Sequence, residues 1–270
     1  TDDPHPQELA SEANHLLMDE SADTPLTASP VPAQNTQKQH LNRFVILLII
    51  AVVFVLIAPE HIRNYILWNI NEHRVLSALV LLFITLALSI IWSFGAKLDD
   101  LVFHFLNNYG PRSLAADRVM QLMTQVGNGL TAFIIAGIFY LLNRRIFAFQ
   151  LIFGTISLWL LVEFIKLLVG RKRPYISLEA ARIVGHKAGG YSFPSGHTSQ
   201  AFFLVAFLGQ ALQLPLIPIV LLYLVAVITG VTRIYLGAHY PRDVIAGAFL
   251  GALWGYTANV LYGVVISGIG

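Results

Sequence analysis

The chain reads KLLVGRKRP at residues 166–174, YSFPSGHTS at residues 191–199 and TRIYLGAHYPRD at residues 232–243. We call these stretches the first, second and third polar clusters. An apolar run precedes the first cluster, and further runs long enough to cross a bilayer separate the second from the third and follow the third. Charged and histidine side chains next to membrane segments are energetically costly, so the three clusters are candidates for function.

The composition indicates a protein that crosses a membrane several times. Of the 270 residues, 56% are hydrophobic and only 12% are charged, and the mean hydropathy is +0.67. A soluble domain carries about 25% charged residues. The formal net charge of +2 is too small to suggest a nucleic-acid partner. The expected surroundings of the chain are therefore a bilayer and its lipids.

The sequence offers few ligands for a metal ion. It contains no cysteine, which excludes disulfides, thiolate catalysis and Cys-ligated metals. After Asp117 only three carboxylates remain, at Glu163, Glu179 and Asp243. A metal site built from several carboxylates is therefore not expected in the C-terminal half, and we predict neither a metal nor another cofactor.

Three regions follow one another along the chain. Residues 1–41 are polar and acidic and contain several prolines, which is typical of a disordered tail. Residues 42–74 contain an apolar run at 44–58, which predicts an extra N-terminal membrane helix, and a connector that mixes charges with aromatic residues. Residues 75–270 are predicted to form the core of an all-α, polytopic membrane helix bundle with six spans.

The six predicted spans of the core are 75–95, 127–142, 147–169, 195–212, 216–234 and 243–267. Residues 96–125 are amphipathic, with apolar residues such as Leu101 and Phe105 on one face, and are expected to lie along the membrane surface. In the last span Gly247, Gly251 and Gly255 recur every four residues, which we interpret as a stripe for close helix packing.

Counting the spans places the three polar clusters on one face of the membrane. Arg144 and Arg145 lie at a turn on the opposite face, and the positive-inside rule makes that face cytoplasmic. The clusters are then expected on the periplasmic, extracytoplasmic side of the inner cell membrane. The side of the tail stays open, because Lys38 and Arg43 favour the inside whereas the span count favours the outside.

The first cluster supplies two cations that suit phosphate oxygens. Lys166 and Arg173 are seven residues apart, about two helical turns, so they are expected to share a helix face before Pro174 ends the helix. Arg171 and its neighbour are expected to contact lipid headgroups. Glu163 lies one turn before Lys166, and we predict that it pairs with the ammonium, with a polar contact between helices as the alternative. The alternative is that the whole cluster is only a positively charged helix end, whose long side chains extend to the membrane–water interface.

The second cluster places Pro194, Ser195, Gly196 and His197 at the start of a helix. The N-terminus of a helix binds anions through its exposed N–H groups and its dipole. His197 would lie close enough to a bound anion to give a proton to a leaving oxygen. The alternative is an ordinary helix cap that is followed by an interfacial histidine.

The third cluster combines a cation with a histidine and a carboxylate. His239 and Asp243 are four residues apart, so the carboxylate is expected to approach the imidazole. A carboxylate on one ring nitrogen fixes the tautomer and leaves the other nitrogen able to attack. Arg233 adds a third cation. The alternative is an interfacial arginine beside an unrelated salt bridge between Asp243 and Arg242.

The motifs Lys-x6-Arg-Pro at 166–174, Pro-Ser-Gly-His at 194–197 and Arg-x5-His-x3-Asp at 233–243 resemble the three-part motif of the type 2 phosphatidic acid phosphatases. This PAP2 superfamily shares its pocket with the vanadium haloperoxidases. The order and the spacing of the motifs agree with the family. Thr232 stands where the family usually has serine, so a hydroxyl is kept.

The resemblance implies a role for each site residue. It implies His239 as the nucleophile, oriented by Asp243, and His197 as the general acid for the departing group and later the base for water. The residues implied to hold the phosphate oxygens are Lys166, Arg173, Ser195, Gly196 and Arg233.

The resemblance also implies a metal-independent, integral membrane lipid phosphatase that acts through a phosphohistidine on a phosphomonoester or pyrophosphate lipid. The implied substrates are an isoprenyl pyrophosphate such as undecaprenyl pyrophosphate, phosphatidic acid and phosphatidylglycerol phosphate. Two alternatives remain: phosphotransfer from a lipid pyrophosphate to lipid A, and a non-catalytic lipid or anion transporter. A transporter would place polar residues deep in several spans, whereas here they gather at one end. The oligomeric state stays open.

Overall fold

A computed structural model of the chain describes residues 33–90, 93–109 and 113–269. These residues form helices joined by turns, and no strand occurs among them. Most of the predicted tail lies outside the described residues. Its last part is helical, because the first helix already begins at Ala33. The predicted boundary at residue 41 is therefore wrong for that part of the tail.

The described helices follow one another along the whole core. They are α1 (Ala33–Ile57), α2 (Glu60–Glu72), α3 (Arg74–Ser89), α4 (Ser93–Asn108), α5 (Leu114–Met123), α6 (Gly129–Leu141), α7 (Arg145–Val169), α8 (Pro174–Ser177), α9 (Gly196–Ala211), α10 (Leu216–Tyr235) and α11 (Pro241–Ile269). A 3-10 turn, Thr124–Gly127, links α5 to α6. Each predicted span thus has a helix at its position.

Two stretches among the described residues are long and apolar enough to cross a membrane. They are Arg145–Ser177 and Leu216–Tyr235, with mean hydropathies of 2.0 and 2.2. The pair Leu114–Gly127 and Gly129–Leu141, bent by 56°, makes a third candidate if it counts as one broken span. The count of six core spans plus one extra helix stays a prediction.

The contact between α9 and α11 holds the second and third polar clusters together. The predicted glycine stripe lies at this contact: a Cβ on Gly247 would come 2.6 Å from the carbonyl oxygen of Ser195, and one on Gly251 would meet the carbonyl oxygen of Ser199. Only glycine permits this approach of two backbones. Side chains of α3 and α7, including Phe83 and Leu151, complete the core around this pair.

Helix α4 departs from the prediction of a surface helix across residues 96–125. The segment breaks into α4 and α5, and one face of α4, with Asp99, Phe103 and Asn107 at every fourth position, is buried. The apolar residues Leu101 and Phe105 lie on the exposed face of the helix. The reason is that the polar face finds partners inside the protein: Asp99 binds arginines, and Asn107 donates to the carbonyl oxygens of residues 182 and 235.

Candidate active site

A cavity of about 510 Å³ opens where α7, α9 and α10 meet the loop that precedes α11. Residues of all three polar clusters line one part of its wall. They are Lys166, Arg173, Gly196, His197, Arg233 and His239. The clusters therefore converge, as their placement on one face predicts.

Lys166 and Arg173 reach the cavity from different elements. Helix α7 ends at Val169 and is capped by Gly170, whose φ of 62° is the left-handed conformation that glycine adopts at helix ends. Arg173 lies beyond this turn, so the prediction of one shared helix face is wrong although both side chains line the cavity. Lys166 Nζ lies 2.7 Å from Glu163 Oε1, which is the predicted pairing. Glu163 thus holds the ammonium at the cavity wall.

Arg173 is fixed by the protein before any ligand binds. Its Nη2 donates to the carbonyl oxygen of Gly189 at 2.7 Å, and its Nη1 donates to that of Ala238 at 3.0 Å. The same Nη1 lies 3.2 Å from Nε2 of His239. The side chain is only 3% exposed, so its planar guanidinium is held in one orientation.

His239 is oriented by a backbone carbonyl. Its Nδ1 lies 2.7 Å from the carbonyl oxygen of Ser192, so Nδ1 carries the proton and donates it. Nε2 is then the unprotonated nitrogen, which agrees with its position beside the Nη1 donor of Arg173. Burial lowers the pKa of His239 to about 3, and the charges of Arg173 and Arg233 contribute. The imidazole is therefore neutral near pH 7, with a lone pair on Nε2.

Asp243 approaches the imidazole of His239, as predicted, without forming a hydrogen bond to it. Its Oδ2 lies 3.7 Å from Nδ1, which permits electrostatic attraction but is too long for a hydrogen bond. The two carboxylate oxygens are bound elsewhere: Oδ1 by Arg171 at 2.6 Å and Oδ2 by the N–H of Tyr240 at 2.9 Å. The carboxylate thus anchors the loop that carries His239, and Ser192 fixes the tautomer.

Arg171 is buried, and the expectation that it contacts lipid headgroups is wrong. Its Nη1 binds Asp243, and its Nη2 lies 2.5 Å from Oδ2 of Asp99. The same oxygen of Asp99 also binds Nε of Arg242 at 2.7 Å. Two guanidinium groups therefore neutralise the two buried carboxylates of Asp99 and Asp243. In this network Arg242 pairs with Asp99, so the alternative of a salt bridge between Asp243 and Arg242 is also wrong.

Ser195 and Gly196, which were both expected to hold phosphate oxygens at the start of α9, lie in different surroundings. Gly196 lines the cavity, whereas Ser195 is buried beside it. The hydroxyl of Ser195 accepts from that of Thr198 at 2.9 Å, and its N–H donates to the carbonyl oxygen of Asp243 at 3.0 Å. Ser195 therefore joins α9 to α11, and its donor is not directed at the cavity. The close packing of α9 on α11 is the reason.

Arg233 lines the cavity with a guanidinium that the described residues pair only in part. It is buried, and its Nη1 donates to Oγ1 of Thr124 at 3.0 Å. Its buried Nε has no hydrogen-bond partner among the residues that the structure describes. A buried donor without a partner is costly, so this guanidinium is suited to an anionic ligand. Thr124, outside the three clusters, was not predicted from the sequence.

A second part of the cavity wall is apolar. Leu130, Phe133, Ile156 and Trp159 line it from α6 and α7, and the side chain of Trp159 is 60% exposed on the outer surface of the bundle. The cavity thus combines cations at one end with an apolar side that opens between two helices. Across the described ranges no group of three or more His, Asp or Glu side chains is arranged to hold a metal ion.

Comparison with known proteins agrees with this site. Residues 147–265 match the family model of the PAP2 superfamily. A lipid A 4'-phosphatase of Bacteroides thetaiotaomicron is 37% identical over 35% of this chain and 44% of that protein. A lipid A 1-phosphatase of Rhizobium johnstonii is 36% identical over 42% of this chain and 46% of its own. The chain thus spans about half the length of these curated relatives.

One solved structure has a fold similar to that of this chain. The crystal structure of a transmembrane PAP2 type phosphatidylglycerolphosphate phosphatase from Bacillus subtilis superposes with a TM-score of 0.58. It is 24% identical, and the match covers 70% of this chain and 96% of that one. All three polar clusters lie inside the residues that match the family model. The part of the chain that carries the site, residues 147–265, therefore resembles the PAP2 superfamily.

Proposed function

We propose that this protein is an integral membrane phosphatase that removes phosphate from a lipid phosphomonoester or pyrophosphate. The observation that carries the proposal is the neutral His239, whose unprotonated Nε2 lies beside Arg173 in a cavity with an apolar second side. The cations would hold a phosphate, and the apolar side would hold a hydrocarbon chain. Both halves of a lipid phosphate thus have a place in one cavity.

The phosphate would bind among three cations. Arg173 and Lys166 are already held in place by protein carbonyls and by Glu163, while Arg233 offers its Nε. Fixed donors stabilise the charge that develops in the transition state at little cost of reorganisation. The three cations also offset the negative charge of the phosphate, which reduces its electrostatic repulsion of the attacking nitrogen of His239.

The reaction would proceed in two displacements at phosphorus. Nε2 of His239 attacks, a P–N bond forms, and the bond from phosphorus to the lipid oxygen breaks while His197 donates a proton to that oxygen. Water then attacks the phosphohistidine, His197 accepts a proton from it, and the P–N bond breaks. Phosphate leaves, and both histidines return to their first state.

The names of the relatives guide the choice of substrate. They point to the phosphates of lipid A and to phosphatidylglycerol phosphate. Phosphatidic acid and an isoprenyl pyrophosphate have the same phosphate chemistry and belong in the same test. The site is proposed to face the periplasmic side of the inner membrane, because Arg144 and Arg145 lie at the opposite end of α7 from Lys166.

Phosphate release by the purified chain in detergent, with excess chelator and a panel of these lipids, tests the proposal. We expect release that resists the chelator and disappears in His239→Ala, and the preferred lipid would identify the substrate. Binding of lipid phosphates without release of phosphate would contradict it. Disappearance of a lipid pyrophosphate only when lipid A is present would instead indicate a phosphotransferase.

A further inference from the structure

A pair of buried polar side chains lies in the part of the cavity between the cations and the apolar wall. Gln200 of α9 and Thr155 of α7 both line the cavity, and they are 6% and 3% exposed. Gln200 Nε2 donates to Oγ1 of Thr155 at 3.1 Å. The proposed mechanism uses neither residue.

The position of the pair follows from the helices that carry it. Gln200 lies one turn after His197 on α9, about 5 Å further along the axis, so both are on one face. Thr155 lies eleven residues before Lys166 on α7, about 16 Å along the axis. Its chain neighbours in the cavity wall are the apolar Ile156 and Trp159. The pair therefore lies where the first groups beyond a bound phosphate would be.

Gln200 has hydrogen-bonding capacity that the protein does not use. Its amide has two N–H donors and one carbonyl acceptor, and the bond to Thr155 uses one donor. No described residue donates to its Oε1. Because Gln200 lines the cavity, the remaining donor and acceptor can bind a polar group of a ligand.

We propose that Gln200, held by Thr155, binds the ester or amide carbonyl nearest the phosphate of the substrate and so selects acylated lipid phosphates over prenyl phosphates. This inference rests on the proposed function. An acylated lipid phosphate has a carbonyl acceptor a few bonds from phosphorus, whereas a prenyl phosphate has only hydrocarbon there. A site built to hydrogen-bond a ligand group discriminates against a ligand that lacks it.

Hydrolysis of three lipids by Gln200→Leu and Thr155→Val tests the proposal. The lipids are dioleoyl phosphatidic acid with ester carbonyls, ceramide 1-phosphate with an amide, and farnesyl phosphate with neither. We expect kcat/KM of Gln200→Leu to fall about tenfold for at least one of the two acylated lipids, because one hydrogen bond to the substrate is lost. For farnesyl phosphate, kcat/KM should change less than about twofold. A loss for one acylated lipid alone would identify ester or amide as the preferred group. Thr155→Val should give a smaller loss of the same pattern.

Gln210→Leu is the matched control, because Gln210 is on the same helix but does not line the cavity. It should leave the ratio of the three activities unchanged. Equal losses on all three lipids in Gln200→Leu would overturn the inference and leave the pair as a contact between helices. Unchanged ratios would overturn it as well. If the unaltered chain released no phosphate from these lipids or from lipid A and phosphatidylglycerol phosphate, the proposed function itself would fall.

Discussion

His239 depends on two different supports for its position. The carbonyl of Ser192 fixes the imidazole ring, while Asp243 fixes the loop and is itself held by Arg171 and Asp99. A displacement of about 1 Å at a reacting atom costs about a hundredfold in rate. The buried network behind His239 is therefore expected to influence the chemical step although it does not touch the cavity.

Arg171→Lys tests this role of the network. Lysine keeps the charge but cannot bind Asp99 and Asp243 together through a planar fork. We predict that kcat falls ten- to a hundredfold while KM changes less than about threefold, measured on the preferred lipid. Arg182→Lys is the control, because Arg182 forms a similar pair with Asp117 that is more exposed than that of Arg171. Equal effects of the two substitutions would show that Arg171 has only a general structural role.

Stability at acid pH tests the neutral state of His239. Its pKa is about 3 in the folded protein, against about 6.5 in an unfolded chain. Between these values only the unfolded chain binds the proton, so stability falls as the pH drops below 6.5, by about 2 kcal/mol between pH 7 and pH 5. We predict that His239→Gln shows a smaller drop in melting temperature over this range.

His61→Gln is the control for the pH measurement, because His61 is exposed on α2. Its melting temperature should fall with pH as in the unaltered chain. An unchanged drop in His239→Gln would mean that His239 already carries a proton in the folded protein.

The sequence predicts local pairs at this scale better than distant ones. Glu163 and Lys166 are three residues apart on one helix, and their pairing was predicted. Arg171 and Asp99 are 72 residues apart, and both lie in polar surroundings at a membrane boundary. Lipid headgroups and a buried carboxylate are equally good partners for such an arginine, so spacing alone could not choose between them.

At the scale of helices, the contact of α9 with α11 leaves no room for a side chain at its glycines. We predict that Gly251→Ala lowers the apparent melting temperature in detergent, because its Cβ would meet the backbone of Ser199. Overpacking of this kind costs about 1–3 kcal/mol. Gly137→Ala in α6 is the control, since nothing lies within 4 Å of its Cβ and alanine is the better helix former. A Gly251→Ala protein as stable as the control would mean that the two helices can separate without cost.

The helices could be predicted from the sequence, whereas the orientation of one of them could not. Apolar runs such as 147–169 and 216–234 predicted α7 and α10 to within two residues. For α4 the amphipathic pattern indicated a helix along the membrane surface, but it did not show that the polar face is buried inside the protein. The inward face is the one with Asp99 and Asn107, because the protein supplies their partners and the apolar side chains remain outside.

At the scale of the whole molecule, the proposed orientation in the membrane can be tested by cysteine labelling, because the sequence contains no cysteine. A single cysteine at Lys187→Cys lies in the exposed connector beside the site, and one at Leu142→Cys lies in the exposed turn before α7. We predict that an impermeant thiol reagent labels the first in intact cells and the second only after the membrane is opened. The reverse pattern would place the cavity on the cytoplasmic side.

Trapping the phosphorylated protein during turnover tests directly whether His239 is the nucleophile. The chain is mixed with a lipid carrying labelled phosphate and quenched with base within milliseconds, since a phosphohistidine survives base and is lost in acid. We predict a base-stable, acid-labile label on the peptide that contains His239, and none in His239→Gln. Rapid release of phosphate without such a label, or a label that persists in His239→Gln, would contradict the account.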